Sequence, residues 1–501
     1  MTKIYTTSQI KEIDSRLCNL LNMSELELME YASERLLREL VSHVDKTKRV
    51  IIVSGTGNNG GDGLVLARLL NNMAYDVDIF LLKSDSYSAS NKINQKRLID
   101  NGLRINYILD KNDFPVISRN NIVVDALFGA GLNRPVEGVA ADLIRYINDK
   151  SSFIISVDIP SGMHGEKVWV KNSAIIESSL ALTLEFSKMS FFYAEHEKYL
   201  KDWNCVGLSG ANNELNMSCG AYLYDRVQAE KDKRIRSRFA YKNTFGHLLF
   251  VGGSYGMIGA AVLAVKAALR GGVGLISTHI PMCGVDVMQI SVPEAIVRAD
   301  ENDECCTSLE PSEKYSAVAV GCGIGRNERT DGLIAQILNA CNVPLLIDAD
   351  ALNIIAKNKW LNKIPKGSVI TPHLGEFYRL FGKVEDSYEA ICLAKEQAEK
   401  LGLTIVMKGA YTKVVSPDGL VSVNTTGNCG MATAGSGDVL SGIIGSLLAQ
   451  GYKAPTAARL GVWLHGKAGD FAEKRFGAEA MTASNIIDGI GDAYNSLSIS
   501  V

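Results

Sequence analysis

One acid in this chain stands where a phosphate and a proton acceptor would meet. Asp438 follows Gly435-Ser436-Gly437 and precedes an apolar run with helical spacing: Val439, Leu440, Ile443, Ile444, Leu447 and Leu448. The pattern reads as a glycine-rich turn opening into a helix. Glycines let a ligand approach the backbone, and first-turn N–H groups with the helix dipole favour an anion. An acid in that turn either caps the helix or serves as a general base beside a bound phosphate. A second glycine loop spans residues 55–63, Gly-Thr-Gly-Asn-Asn-Gly-Gly-Asp-Gly, between an apolar strand at 49–54 and a helical run at 64–71. Strand, glycine loop and helix in that order cradle phosphates in nucleotide-binding βαβ units. The loop is neither a Walker loop nor the dinucleotide Gly-x-Gly-x-x-Gly. Asp125 and Asp158 belong to the same chemistry, each near the carboxyl end of an apolar strand (122–128 and 153–157) and followed by a glycine-containing turn. Acids at those ends of parallel strands sit where open α/β sheets bind ligands. Side-chain oxygens of Asn59, Asp125 and Ser161 together suit a hard cation; the competing reading makes each a local cap.

The elements that must position these residues alternate along the chain. Residues 7–41 read as helical, with Ser24 ahead of an apolar pattern. Strands follow at 49–54, 77–82, 122–128 and 153–157, with helices at 64–71, 90–101 and 140–147 between them. From about 206 to 244 the periodicity fades and a charged run (229–238) follows, so a junction is expected there. A second set begins with the strand 247–251 and a helix of small residues, 259–269. Strands at 317–320, 343–347, 368–370 and 404–407 then end in Gly321-Cys322-Gly323, Asp348-Ala349-Asp350, Thr371-Pro372-His373 and Lys408-Gly409-Ala410. Parallel-sheet logic gathers those ends into one cleft. The expected fold is α/β, two Rossmann-like three-layer αβα domains, over 1–212 and 241–501 with a junction at 213–240.

Length and composition agree. At 501 residues the chain exceeds one ordinary core, and 47% hydrophobic with 21% charged residues describes a globular α/β protein. A formal charge of −3 gives no electrostatic case for nucleic acid or a membrane surface. The ten cysteines include no Cys-x-x-Cys pair, which points to reduced thiols in the cytoplasm. The seven histidines show no zinc-ligand spacing, no stretch is long enough to span a bilayer, and no signal peptide is recognised.

Both halves resemble known domains. Gly57-Asn58-Asn59-Gly60-Gly61-Asp62-Gly63, Asp125-Ala126-Leu127-Phe128-Gly129-Ala130-Gly131-Leu132 and Asp158-Ile159-Pro160-Ser161-Gly162 resemble the NAD(P)H-hydrate epimerase domain. Asp348-Ala349-Asp350-Ala351-Leu352-Asn353, Thr371-Pro372-His373-Leu374-Gly375-Glu376 and Asn424-Thr425-Thr426-Gly427-Asn428 with Gly435–Asp438 resemble the NAD(P)H-hydrate dehydratase domain, which is ribokinase-like. The fused order resembles the bifunctional nicotinamide nucleotide repair enzymes of bacteria and archaea. In the first half the resemblance implies hydrated-nucleotide contacts at Asn58, Asn59, Gly60, Gly61 and Asp62 and at Gly129, Ala130, Gly131, Leu132, Asn133, Arg134 and Pro135. It implies potassium ligands at Asn59, Asp125 and Ser161, with Asp158 contacting substrate as acid/base. In the second half it assigns Ala261, Gly325, His373 and Asp438 to the hydrated nicotinamide nucleotide, and Lys408, Gly409, Ala410, Tyr411, Thr412 and Gly437 to ADP or ATP with magnesium. The chain departs from the family at Tyr31 and Ser33 (usually Asn and Gly), at Met189-Ser190 after Lys188 (usually Pro-Gly), at Cys322 (usually Pro) and at Leu374 (usually Pro).

The implied reaction follows physical need, since a hydroxyl leaves the reduced nicotinamide ring poorly and a phosphate leaves well. Asp438 would take the hydroxyl proton as the oxygen attacks the terminal phosphoryl group, with the amides of 435–437 steadying the charge. Loss of phosphate, pushed by the ring nitrogen, restores NADH or NADPH. The first half would interconvert the R and S hydrates, so that both can supply the S form that the dehydratase accepts. A cytoplasmic homo-oligomer is expected, with small-molecule substrates and neither nucleic acid nor membrane as partner. Two other readings remain open at this stage: a true small-molecule kinase in the second half, and a first half that binds nucleotide without chemistry.

Overall fold

The computed structural model describes residues 2–169, 173–208, 217–309 and 314–498, so residues 209–216, at the start of the expected junction, lie outside the described residues. The chain divides into two compact units, one formed by Lys3–Cys219 with Asp386–Tyr388, the other by Met1–Thr2, Gly220–Glu385 and Glu389–Val501.

The Lys3–Cys219 unit opens with two helices, Thr7–Leu21 and Glu25–Leu40, where one helical stretch was expected. Asn22, in the left-handed region at φ 52°, ends the first. Ser24 starts the second through a capping box with Glu27, which satisfies two N–H groups that a helix leaves open. Seven parallel strands follow, ordered in space Ile105–Ile108, Val77–Leu82, Val50–Ser54, Ile122–Ala126, Ile154–Val157, Leu180–Leu184 and Trp203–Val206. Alternate residues of a strand face opposite sides of a sheet. Accordingly Ile52 joins the core beneath Leu36, Leu64 and Leu70, while Ile51 and Val53 join a second core with Leu143, Ile144 and Ile147. Burial on both faces is why the central strands are unbroken apolar runs. The chain leaves Val50–Ser54 in one direction and returns on its other side at Ile122–Ala126, so the strand order reverses between these two strands. Ligands bind at such reversals in open α/β sheets.

The second unit holds an eleven-stranded sheet. Its parallel centre runs Thr404–Met407, Val369–Ile370, Leu345–Ile347, Ala317–Val320, His247–Val251, Leu275–Ile280 and Ile296–Ala299. The reversal lies between His247–Val251 and Ala317–Val320. Beyond Thr404–Met407 the antiparallel strands Lys413–Val415 and Val421–Asn424 extend the sheet, and Ala221–Tyr224, in the stretch read as junction, pairs parallel with the last of them. Helix Ser436–Ala449 is buried along nearly its whole length, which accounts for its apolar run. No helix among the described residues is long and apolar enough to cross a membrane.

Candidate active sites

In the Lys3–Cys219 unit the expected phosphate loop is helical: Gly57 is the N-cap and Asn58 to Asp62 form the opening turns of helix Asn58–Asn72. A Cβ at Gly60 would collide with the Gly55 carbonyl oxygen, so this close turn requires glycine. The glycine run, read as loop, thus serves to fold the helix start back onto its own strand. Asn91 donates to the Gly55 and Gly57 carbonyls at 2.9 and 3.2 Å and holds the turn from the neighbouring helix.

Asp125 pairs across the sheet with Val53 and Ser156, buried inside its strand. Its carboxylate accepts four hydrogen bonds: from the Leu127 N–H (3.2 Å) and Ser161 Oγ (2.5 Å) on Oδ1, and from Ser156 Oγ and the Ser161 N–H (both 2.9 Å) on Oδ2. Burial pushes its pKa up and these donors pull against that shift. Ser161 Oγ also accepts from the Phe128 N–H at 2.8 Å and lies 3.2 Å from the Phe128 carbonyl. Asn59 packs against the following Gly129, its Nδ2 buried without a partner. Ala130 is buried, whereas Gly131, Asn133, Arg134 and Pro135 are exposed and Leu132 is half-buried.

Asp158 holds a positive φ of 68°, unusual for a residue with a side chain and the kind of strain that gathers at functional sites. Its carboxylate accepts from the Leu184 N–H (3.1 Å), from Thr183 Oγ1 (3.3 Å) and from the Lys188 ammonium. Lys188 is only 2% exposed and also donates to Thr183 Oγ1 (2.6 Å) and the Phe186 carbonyl (3.1 Å). Two further acids feel Asp158. Buried Asp62 is held well above the usual carboxylate range, by desolvation first and the Asp158 charge second; Ser33 donates to it at 3.4 Å. Asp14, on the first helix, is pushed up to about 6 by the same two causes in that order. Asp14 was not singled out in the sequence, where it stands among exposed polar residues of an amphipathic helix. Ser33, noted as a departure, reaches Asp62 directly.

In the second unit Gly435 takes a left-handed φ of 86° and turns the chain into helix Ser436–Ala449, with Asp438 in its first turn. Asp438 lines a cavity of roughly 490 Å³ with Gly435, Asp350, Asn353, His373, Glu376 and Arg379. Its carboxyl is pushed up to about 6, chiefly by burial and then by the Asp348 charge; a hydrogen bond with the Cys322 thiol and the Lys408 charge pull it down. Lys408 comes off strand Thr404–Met407 and reaches under the turn. Its Nζ lies 2.7 Å from Asp348 Oδ1, and Gly437 sits beside it. Asp348 is held in turn by Ser441 Oγ at 2.6 Å and caps the Ala349 N–H at 2.8 Å.

The remaining residues divide. His373 caps helix Leu374–Phe381, its Nδ1 accepting from the Gly375 N–H at 3.0 Å and its Nε2 lying 3.4 Å from Glu376 Oε1. Glu376 returns a bond to the His373 N–H at 2.9 Å, and burial raises its pKa. Gly325 donates to Asp350 Oδ2 at 3.2 Å, next to the Arg326–Asp350 ion pair at 2.9 Å. Ala261 is fully buried beneath Gly253, and its helix lines the cavity instead through Gly259, Ala260 and Leu263. Gly409, Ala410 and Tyr411 form an exposed turn, closed by a Thr412 Oγ1 bond to the Gly409 carbonyl at 2.8 Å, and Thr412 is half-buried. His465, buried on helix Ala454–Phe476, faces Ser436 Oγ at 3.3 Å and is pulled down to about 4 by burial, so it is neutral beneath the turn. No sequence signal marks it, because a lone histidine in a helix has no neighbouring ligand pattern.

The two halves of the chain have counterparts in known proteins. A family model described as NAD(P)H-hydrate dehydratase matches residues 248–491, and one described as YjeF-related protein N-terminus matches residues 25–190. The bifunctional NAD(P)H-hydrate repair enzyme of Thermofilum pendens is 34% identical over 99% of this chain and 97% of its own length. The chain belongs to the bifunctional NAD(P)H-hydrate repair enzyme family. A second member, from Moorella thermoacetica, is 32% identical over 97% of this chain and 95% of its own. A ribokinase-like superfamily protein of Enterococcus faecalis superposes with a TM-score of 0.50 at 25% identity, covering 56% of this chain and 98% of that protein. The α/β class with a ribokinase-like second half, expected from the motifs, is therefore the fold of this repair enzyme family member.

Proposed function

We propose that the Lys3–Cys219 unit interconverts the R and S hydrates of NADH and NADPH, and that the second unit dehydrates the S hydrate at the expense of ADP or ATP. AMP or ADP and phosphate leave with the restored dinucleotide. The observation that carries this reading is Asp438, in the first turn of a helix and on the wall of a cavity it shares with His373 and Asp350, with its pKa near 6. A base with that pKa is mostly ionised at neutral pH and still holds a proton well enough to accept one. Asp438 takes the hydroxyl proton of the hydrate as that oxygen bonds to the terminal phosphorus. Lys408 sits beneath Gly437, where cationic charge offsets charge developing on the phosphates. His373 and Asp350 supply polar groups for the hydrated ring and its ribose, and Lys408 with the 409–412 turn and Gly437 faces the adenine nucleotide. Magnesium would accompany the polyphosphate, and Asp350 and Glu376 would be oxygen donors of the right kind to hold it.

In the first unit Asp158 is the acid/base, with Lys188 holding its carboxylate in place and the helix start at Asn58–Asp62 and the 129–135 segment receiving the nucleotide. Potassium fits the set of Asn59, Asp125 and Ser161, which offers an amide, one carboxylate and a hydroxyl. Asn59 Nδ2 has no partner, and a half-turn of the amide presents its oxygen there instead. The four donors on Asp125 fill its lone pairs, but the Ser161 hydroxyl hydrogen can turn to the Phe128 carbonyl and release one. When bound, the ion supplies positive charge beside Asp125.

Feeding separated R and S hydrates of NADH with ADP or ATP, and following NADH with its by-products, tests both halves. The reading requires S hydrate to return NADH with free phosphate, and R hydrate to do so only after epimerisation. A stable phosphorylated hydrate as end product would instead make the second unit a kinase.

A further inference from the structure

Outside the catalytic cavity, three buried side chains of different elements converge in the second unit. His279 is the penultimate residue of strand Leu275–Ile280, in register with Val251 of the strand His247–Val251. Asp300 directly follows the neighbouring strand Ile296–Ala299 and is tied to Ile280 by a backbone hydrogen bond of 2.8 Å. Cys306 comes from the loop beyond. One ligand atom from each of the three lies within 4.8 Å of the other two, and all three residues are buried, Cys306 completely.

We propose that His279, Asp300 and Cys306 bind a divalent ion of the zinc type. Bond lengths of about 2.0–2.3 Å place the ligand atoms of a tetrahedral zinc site about 3.3–3.8 Å apart. His279 Nε2 and Asp300 Oδ2 already stand 3.1 Å apart, so closing the trio on an ion needs a shift of the thiol and little else. The charges support a divalent ion in particular: one thiolate, one carboxylate and a neutral imidazole cancel it, so no net charge is buried. A thiolate with an imidazole selects zinc over calcium or magnesium, which prefer oxygen alone. The carboxylate is held in place by the Thr307 N–H (2.7 Å) and Ser308 N–H (3.2 Å) on Oδ2 and by Thr307 Oγ1 (2.8 Å) and the Asn302 N–H (2.9 Å) on Oδ1, so an ion on Oδ2 takes the place of the longest of these, the Ser308 bond. Water takes the fourth position, reaching it past His279, whose side chain is 8% exposed.

Binding would have a structural consequence at the cavity. Cys306 Sγ faces the carbonyls of His279 (3.7 Å) and Gly252 (4.0 Å), and the Tyr255 N–H bonds to the Glu304 carbonyl at 2.8 Å. The same turn carries Ser254, which donates to the Gly323 carbonyl at 2.8 Å, and Gly323 lines the catalytic cavity. An ion at the trio therefore braces the turn that supports one cavity wall.

The test is titration of the full-length, reduced protein with cobalt(II), read by absorption. The proposal expects one cobalt per chain with a thiolate-to-metal charge-transfer band, displaced by zinc, and lost in Cys306→Ala while His279→Gln weakens binding at least tenfold. In parallel, native mass spectrometry of the wild type with zinc should show one ion held per chain, which does not depend on a variant folding. Folded wild-type protein that shows no thiolate band and holds no zinc overturns the proposal, as does a band that survives in Cys306→Ala.

Discussion

Asp125 and Asp438 stand at comparable places in their units, each beside the reversal of a parallel sheet, yet their surroundings make them opposites. Asp125 accepts four hydrogen bonds from Leu127, Ser156 and Ser161 and is sealed inside its strand. Asp438 stays half-buried on a cavity wall with the Cys322 thiol beside it, and the nearest cation, Lys408, is committed to Asp348. A carboxylate whose lone pairs are filled is an anchor; one held partly dry with spare lone pairs is a base. Asp158 lies between these extremes, ion-paired to a buried lysine but still 17% exposed.

The largest expected effect breaks the base. Asp438→Asn keeps shape and removes the proton acceptor, so ADP-dependent return of NADH from the S hydrate should fall about 10²–10⁴-fold, the usual worth of a general base. Epimerisation, followed by loss of the R hydrate, should continue unchanged. A variant that keeps more than half its NADH production would refute the assignment.

Next is the buried pair. Lys188→Met leaves Asp158 without its cation in a nearly closed site, and breaking such a pair by removing one partner costs about 3–5 kcal/mol. The loss should appear as a lower denaturant midpoint for the first unit together with loss of epimerase activity, while dehydration of pure S hydrate persists. Unchanged unfolding in this variant would mean that the ammonium is dispensable to the fold.

The Asp438 pKa sharpens the contrast through pH. A base titrating near 6 predicts that kcat/KM for dehydration rises with pH up to about 6 and is flat above it. The stability effect has the opposite sign. The folded carboxyl binds its proton more tightly than the unfolded one, so its contribution is complete below about pH 4 and is lost as pH climbs through 6. Two pKa units, discounted for the partial exposure of the group, amount to about 2 kcal/mol. Asp438→Asn should therefore be more stable than the parent at about pH 8 and no more stable at about pH 4, by chemical denaturation. Equal stabilities at both would show that the site does not hold this carboxyl under strain.

Much of this arrangement was legible from residue order, because the central strands are apolar on both faces and end in glycine or acid. The strands at 247–251, 317–320 and 404–407 match the fold residue for residue. The strands Trp203–Val206 and Ile296–Ala299 escaped, being short and polar toward the sheet edge, as in Trp203-Asn204-Cys205-Val206, and Leu180–Leu184 escaped although its Leu-Ala-Leu-Thr-Leu run is buried. Strand Ala221–Tyr224 and helix Arg226–Asp232 were hidden in a stretch whose charges resemble a linker. Asp232 is in fact paired with Arg459 at 2.6 Å and accepts from Tyr224 at 2.8 Å. Periodicity reports one face of one element; a pair such as Asp232–Arg459, far apart in sequence, leaves no periodic trace. Asp14, Cys322 and His465 were missed as site residues for the same reason, since each acquires its role only from a neighbour distant along the chain.

The smallest expected effect decides whether Asp125 is an anchor alone. If the Asn59–Asp125–Ser161 set holds potassium, the ion's stabilisation is that of a weakly charged, partly hydrated site, on the order of 1 kcal/mol, or several-fold in hydrate affinity. Asp125→Ala is a poor probe, because it leaves the Leu127 and Ser161 amides and two hydroxyls without an acceptor and would unfold the crevice for that reason. Ser161→Ala is the better one. It removes one proposed ligand while the Ser161 N–H bond to Asp125 survives, and the only backbone group it deprives of an acceptor is the Phe128 N–H. Replacing potassium by a bulky organic cation at constant ionic strength should raise the KM for epimerisation several-fold in the parent and leave Ser161→Ala unmoved, with no effect on dehydration in either. If the parent epimerises equally well in both salts across saturating and subsaturating hydrate, the four hydrogen bonds on Asp125 are its whole role.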